Sequence, residues 1–143
     1  LFGRFFRTLK GEEIVGANIL PIETIAGDER MIGNIVIKSH EFGDIVGYEN
    51  HSGQTFLDKT VKPLGQVIKG AGNNMTDANE GVRYNNIIAT YLHGPILPKN
   101  PQIADFLIGE ALERRGVSSD SRLGKNDDIL ANKAREIALK LSR

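Results

Sequence analysis

The sequence contains no cysteine among its 143 residues. A chain without cysteine forms no disulfide, binds no zinc through thiolates and supplies no thiol nucleophile of its own. The rest of the composition is that of one globular domain, with 40% hydrophobic and 25% charged residues. Thiol chemistry is therefore excluded for these residues taken by themselves.

Net charge and long apolar runs are also lacking. Eighteen Lys and Arg residues balance eighteen Asp and Glu residues, so no overall positive field attracts nucleic acid or an anionic membrane. No apolar run approaches the roughly 20 residues that span a bilayer, and the first residues lack the pattern of a signal peptide. We therefore expect a cytoplasmic protein that binds no nucleic acid and inserts into no membrane.

The N-terminal residues show a helical pattern. It stops at Gly11, a residue suited to the left-handed position after a helix. Because the chain begins with Leu1 rather than Met, inside this pattern, we expect the natural start to lie upstream. The apolar residues at helical spacing are Leu1, Phe2, Phe5, Phe6 and Leu9.

The middle of the chain, from Met31 to Thr90, alternates short β-rich runs with turn residues. Short separations favour hairpins over helical crossovers. Of the predicted turns, residues 52–54 separate two strands, and residues 70–74 form a flexible hairpin tip that lacks the lysine of a phosphate-binding loop. The predicted strands are residues 32–37, 45–51, 62–69, 82–84 and 87–90.

Two helices are predicted after residue 93. The first has Asn100 as its N-cap and Pro101 at its first position, and it ends near Gly116. Its predicted buried stripe is Ile103, Phe106, Leu107 and Leu112. The second helix opens with the acidic residues 126–128 and is expected to close the fold. Its predicted apolar face is Ile129, Leu130, Ala134, Ile137, Ala138 and Leu141.

The segment 86–95, Asn-Ile-Ile-Ala-Thr-Tyr-Leu-His-Gly-Pro, is typical of an apolar strand that ends at a histidine. Strand ends are where catalytic groups collect in open α/β sheets, and neutral imidazole is the usual base near pH 7. The residues alone leave a second interpretation open, in which His93 is only a hydrogen-bonded loop residue.

Two further motifs precede this segment. The first is Gly-Tyr-Glu-Asn-His at 47–51 followed by Ser-Gly-Gln-Thr at 52–55, and the second is Pro-Leu-Gly at 63–65 leading to Gly-Ala-Gly-Asn-Asn at 70–74. In this order and spacing, the three motifs resemble the cobyric-acid-synthase-like branch of class I glutamine amidotransferases. The resemblance extends over essentially the whole chain.

The resemblance implies a fold and a domain boundary. The fold would be the α/β three-layer sandwich of class I glutamine amidotransferases, with a mixed sheet and closing helices, and residues 1–143 would be the C-terminal portion of a single such domain. The nucleophilic cysteine of the family would then lie just before Leu1. In the family it occupies a strand-to-helix turn, where backbone N–H groups favour the thiolate and stabilise the oxyanion.

The resemblance also implies roles for two residues. His93 would take the thiol proton and return it to the departing ammonia. Many relatives carry a glutamate two positions later, but this chain has Pro95 there, so a cysteine-histidine pair without a third member is implied. Arg30 would hold the α-carboxylate of glutamine through its guanidinium. The alternative for Arg30 is a solvated side chain before a strand.

Glu49 and His51 are two residues apart in a predicted strand and so share one face. We predict a structural, hydrogen-bonded role for Glu49. His51 is left between two interpretations: it lines the glutamine site or the partner contact, or it forms a hydrogen-bonded pair with Glu49 that fixes the turn at 52–53. His40 is predicted to be solvated.

The function implied is that of a glutaminase subunit, which hydrolyses L-glutamine and passes ammonia to a Mur-ligase-like, ATP-dependent partner in a heterodimer. The partner would amidate the D-glutamate of lipid II, the peptidoglycan precursor. No cofactor and no metal are expected. One alternative is an amidase domain of cobyrinic or cobyric acid synthesis. Another is a catalytically inactive amidotransferase-like module kept for binding.

Overall fold

The computed structural model describes residues 2–117 and 128–141. Its fold is α/β with a mixed sheet and helices, which confirms the predicted fold class. The elements are β1 Phe5–Arg7, β2 Glu13–Val15, β3 Ile22–Ser39, β4 Gly43–Leu57, β5 Gly65–Lys69, β6 Asn79–Glu80, β7 Val82–Tyr84, β8 Ile87–Ala89, α1 Ile96–Lys99, α2 Pro101–Arg114 and α3 Ile129–Leu141.

A long antiparallel hairpin of β3 and β4 dominates the sheet. Its register pairs Ile22 with Leu57 at the open end and Ser39 with Gly43 at the turn. Because β4 occupies one edge of β3, the other edge is shared by β1, which runs parallel, and β5, which runs antiparallel. The predicted hairpins are thus confirmed. The predicted separator at 52–54 is wrong, because β3 reaches back far enough to pair with those residues and β4 continues through them.

The main core lies on one face of this hairpin. Ile35 and Gly47 are register partners there, and a Cβ added to Gly47 would lie 2.7 Å from the Leu92 side chain. The glycine therefore provides the space that Leu92 occupies. Each fully buried aliphatic side chain contributes about 1.5–3 kcal/mol. The buried cluster is Ile35, Ile37, Ile45, Leu64, Leu92 and Ile103.

Asn100 precedes α2 and Pro101 begins it, as predicted, but the Asn100 side chain does not cap the helix. Its amide donates to the carbonyls of Val46 and Ile96 at 2.8 and 2.7 Å, and its oxygen accepts the Val46 N–H at 2.9 Å. The predicted capping bond is absent because the buried backbone groups of Val46 on β4 need partners. Asn100 thus joins the helices to β4.

The N-terminal helix prediction is wrong, since residues 5–7 form strand β1. A turn closed by the Gly11 N–H and the Thr8 carbonyl at 2.9 Å folds the chain back and pairs Phe5 with Val15. Gly11 does adopt a positive φ of 85°, but in a hairpin turn. Aromatic residues suit a strand, and the edge of β3 offers unpaired backbone groups to it. Leu1 lies outside the described residues.

The predicted helix faces are only partly buried. In α2, Ile103 is buried, while Phe106 and Leu112 are half-buried and Leu107 is exposed. Phe106 meets Phe42 edge to face at a centroid distance of 5.3 Å, because α2 crosses the turn between β3 and β4. Residues 126 and 127 of the predicted second helix lie outside the described residues. No residue of α3 is buried, and its large apolar residues Ile129, Leu130, Ile137 and Leu141 are exposed.

None of the helices in the described ranges is long and apolar enough to cross a membrane.

Candidate active site

His93 lies at the end of a short backbone pairing with β4. Its N–H donates to the Tyr48 carbonyl at 2.7 Å, and the Tyr48 N–H donates to the His93 carbonyl at 3.2 Å. Residues paired in this way put their side chains on the same face of a sheet. Both side chains are exposed, so the imidazole lies on the open face of β4. Gly94, with φ of 66°, then turns the chain away before Pro95.

Arg30 lies on the same face. Its Nε donates to the Asn50 Oδ1 at 2.7 Å, and Asn50 is two residues from Tyr48 on β4, so both side chains point to the open face. Arg30 itself is exposed, at the end of the β-bulge between Ala26 and Met31. The hydrogen bond to Asn50 uses one of the five guanidinium donors. His93 and Arg30 therefore share one exposed face.

His51 lies on the opposite, buried face. Its ring stacks on Tyr91 with centroids 3.7 Å apart, and its Nδ1–H donates to the Gly53 carbonyl at 2.9 Å. Burial lowers the pKa of His51, an effect that the Gly53 bond and the Glu49 charge oppose and that His93 reinforces. His51 is therefore neutral near pH 7. Its Nε2 is buried and makes no hydrogen bond of normal geometry among the described residues.

Tyr91 links three parts of the fold and was not singled out by the sequence. Its hydroxyl is 2.7 Å from the Thr55 hydroxyl, which is 2.8 Å from the Thr24 hydroxyl. This chain of hydroxyls joins β3, β4 and the segment that leads to His93. A tyrosine two positions before a histidine carries no signal that would have indicated these contacts.

Glu49 is buried, and its carboxylate is held by a loop. Oε1 accepts the Ala71 N–H at 2.8 Å and Oε2 accepts the Gly72 N–H at 3.0 Å. Glu49 therefore has a hydrogen-bonded structural role, as predicted, but its partners are these loop residues rather than His51. The predicted flexible hairpin tip at 70–74 is wrong, because Asn73 and Asn74 are each only 1% exposed. The loop does bind an anion through its backbone, as such loops can, but the anion is a side chain of this chain.

Glu80 is a second buried carboxylate, with no exposed surface. Its Oε1 accepts the Tyr91 N–H at 2.8 Å, and both oxygens lie 3.0 Å from the Thr90 hydroxyl. Burial raises the pKa of Glu80 to about 7; the bonds from Tyr91 and Thr90 oppose this shift, and the Glu49 charge adds to it. Sequence reasoning missed Glu80 because one glutamate in a short polar stretch has no periodicity to mark it.

An apolar cavity of about 470 Å³ borders this network, and Thr55, Thr90 and Tyr91 line one side of it. The N-terminal aromatic residues Phe2, Phe5 and Phe6 line another side, and His93 is not among the lining residues. Within residues 2–117 and 128–141, no group of three or more His, Asp or Glu residues is arranged to hold a metal ion.

Residues 1–101 match the family model of the CobB/CobQ-like glutamine amidotransferase domain. The chain belongs to this family. Membership confirms the resemblance drawn from the motifs at 47–55, 63–74 and 86–95, all of which lie inside the matched range.

Individual relatives divide into two kinds. The subunit GatD of lipid II isoglutaminyl synthase (glutamine-hydrolyzing) from Staphylococcus aureus is 48% identical over 115 residues, which are 80% of this chain and 46% of the relative. The same subunit from Streptococcus pneumoniae is 38% identical over 138 residues, 95% of this chain and 53% of the relative. Cobyric acid synthase from Listeria monocytogenes is 32% identical over 107 residues, 74% of this chain and 20% of the relative.

This amidotransferase chain spans about half the length of the GatD relatives it matches.

The Glu49 cradle gives a test of the site's framework. In a Glu49→Gln variant one oxygen becomes an amino group, so one buried N–H of Ala71 or Gly72 loses its acceptor. We expect the free energy of unfolding to fall by about 1–3 kcal/mol, measured by urea titration of the full-length protein. Amide hydrogen exchange at both residues should quicken. Glu29→Gln, at an exposed position, is the matched control. Equal stability of the two variants would contradict the role of the cradle.

Proposed function

We propose that this chain supplies the general base and the substrate arginine of a glutaminase that releases ammonia from L-glutamine. The observation that carries the proposal is the exposed imidazole of His93, whose backbone is bonded to Tyr48 in both directions. A base must reach its substrate and keep its position. Exposure meets the first requirement, and the double backbone bond meets the second.

The proposed reaction needs a thiol from outside these 143 residues, since the chain has no cysteine. His93 accepts the thiol proton, and the thiolate attacks the side-chain carbonyl carbon of glutamine. His93 then returns the proton to the departing nitrogen, and ammonia leaves a glutamyl thioester. In the second half, His93 takes a proton from water, which cleaves the thioester to glutamate and restores the thiol.

Arg30 would bind the α-carboxylate of glutamine in this reaction. Its position on the same open face of β4 as His93 supports the role. A guanidinium can pair with a carboxylate through two parallel hydrogen bonds. For His51, burial under Tyr91 supports the structural interpretation over direct contact with glutamine.

We further propose that the ammonia passes to a Mur-ligase-like, ATP-dependent partner in a cytoplasmic heterodimer, and that the partner amidates the D-glutamate of lipid II. The two relatives at 48% and 38% identity support this acceptor, since each is named as a glutamine-hydrolyzing subunit of lipid II isoglutaminyl synthase.

The second candidate acceptor is a carboxylate of the cobyric acid pathway, which the cobyric acid synthase relative at 32% identity favours. The acceptors can be compared directly by mass spectrometry. With glutamine, ATP and the ligase subunit, we expect the full-length protein to support conversion of the lipid II carboxyl to an amide, and to leave cobyrinic acid unchanged in a parallel reaction with its own synthetase domain. The reverse result would overturn the lipid II assignment.

The proposed base is tested by His93→Ala in the full-length protein with its partner. General acid-base groups contribute about 10²–10⁴-fold to rates, so ammonia release from glutamine should fall by at least about 100-fold. His40→Ala, at an exposed histidine, should retain the wild-type rate. Activity that survived His93→Ala would exclude His93 as the base. A wild-type protein that released no ammonia would instead support the inactive binding module.

Arg30→Ala tests the substrate contact. A hydrogen bond to a charged group contributes about 1.5–3 kcal/mol, which corresponds to an increase of about 10–100-fold in the KM for glutamine. The KM of Arg30→Lys should lie between those of the wild type and Arg30→Ala, because a lysine keeps the charge but not the paired hydrogen bonds. Arg114→Ala, exposed on α2, is the control. An unchanged KM for Arg30→Ala would favour the solvated interpretation of this arginine.

A further inference from the structure

We propose that Glu80 is a positioning residue for His93, because its buried carboxylate fixes the three residues that precede the imidazole. The proposal rests on the function proposed for His93. Glu80 is a residue of β6, whereas the residues that it holds, 90–92, follow β8.

One carboxylate fixes three successive residues. Glu80 accepts the Tyr91 N–H and the Thr90 hydroxyl, and the Thr90 Oγ1 in turn accepts the Leu92 N–H at 3.0 Å. Residues 90–92 belong to no strand or helix, so side-chain acceptors satisfy backbone groups that a sheet ladder would otherwise pair. The position of this segment therefore depends on Glu80.

The segment has little freedom beyond this contact. Leu92 fills the space above Gly47, and the next residue, His93, is bonded to Tyr48. A shift of Thr90 or Tyr91 would have to be absorbed within two residues of the imidazole. Since a misplacement of about 1 Å can cost about 100-fold in rate, the carboxylate affects catalysis without contacting glutamine.

The charge of Glu80 matters as well as its shape. Burial, reinforced by the facing carboxylate Glu49 on β4, brings its pKa to about 7. The neighbouring titratable groups on the segment and on β4 are Tyr91 and His51, which stack on each other. As pH falls through about 7, Glu80 gains a proton that needs an acceptor of its own. The hold on Thr90 and Tyr91 then weakens, so the rate should fall on the acid side.

Glu80→Gln in the full-length protein with its partner tests the charge. We expect kcat for ammonia release to fall by about 10–100-fold, with the KM for glutamine within about twofold of wild type. The part of the inflection near pH 7 in the wild-type kcat profile that Glu80 contributes should disappear, so the profile should fall less steeply on the acid side. Glu113→Gln, exposed on α2, should keep both kcat and the inflection. A Glu80→Gln profile identical to wild type would overturn the proposal.

A milder pair of variants keeps the proposal testable if Glu80→Gln does not fold. Thr90→Val removes the hydroxyl that links the carboxylate to Leu92, whereas Thr90→Ser retains it. We expect kcat to be lower in Thr90→Val than in the wild type and close to the wild-type value in Thr90→Ser. The KM for glutamine should change little in either variant. Equal kcat in the two variants would contradict the proposed linkage.

Nuclear magnetic resonance separates this proposal from that for the base. The chain has three histidines, and their ring signals can be assigned by substituting each in turn. Thr90→Val and Glu80→Gln should shift the His93 signal and leave that of His40 unchanged. If His93→Ala retained activity, the function proposed for His93 would fail while this shift could still be observed. An unshifted His93 signal in both variants would overturn the positioning role alone.

Discussion

Two carboxylates buried inside the fold, Glu49 and Glu80, impose the constraint on which the rest of the structure depends. An ionised carboxylate in a low-dielectric interior is very costly unless hydrogen bonds replace its water. In both cases backbone N–H groups from irregular segments provide those bonds, at Ala71 and Gly72 for Glu49 and at Tyr91 for Glu80. The loop at 70–74 is thereby held against β4 of the long hairpin, and the segment before His93 is held against β6.

This constraint explains why a histidine outside the main sheet can have a defined position. His93 pairs with a single residue of β4. One pair of backbone hydrogen bonds would fray if the segment before His93 could move freely. The segment before His93 is fixed by its hydrogen bond to Glu80 and by the Leu92 side chain, which packs against Gly47. A short pairing is thus stabilised by tertiary contacts rather than by a ladder of its own.

A feature could be predicted from the sequence when the interacting residues are close together along the chain, and it was missed when they are far apart. Strands 32–37 and 45–51 were predicted because β-rich runs bounded by turn residues are a local signal, and the start of α2 because Pro101 is one. Asn100 was misjudged because its partner, Val46, is 54 positions away. Glu80 was missed for a similar reason, since its partners at Thr90 and Tyr91 become neighbours only after β7 and β8 reverse the chain. The first strand was mistaken for a helix because Phe5 and its neighbours fit both the helical and the strand spacing. The open edge of β3, with which they pair, favours the strand.

Alternate residues of β4 in this hairpin lie on opposite faces of the sheet and have different partners. On β4, Glu49 and His51 point inward to buried partners, while Tyr48 and Asn50 point outward. Tyr48 pairs with His93 through its backbone, and the Asn50 side chain accepts a hydrogen bond from Arg30. A shift of one residue in a strand register exchanges the two faces. Such a shift would remove Glu49 from its loop and bury the face that His93 and Arg30 share. The buried pair therefore fixes the register that brings the imidazole of His93 and the guanidinium of Arg30 to one open surface.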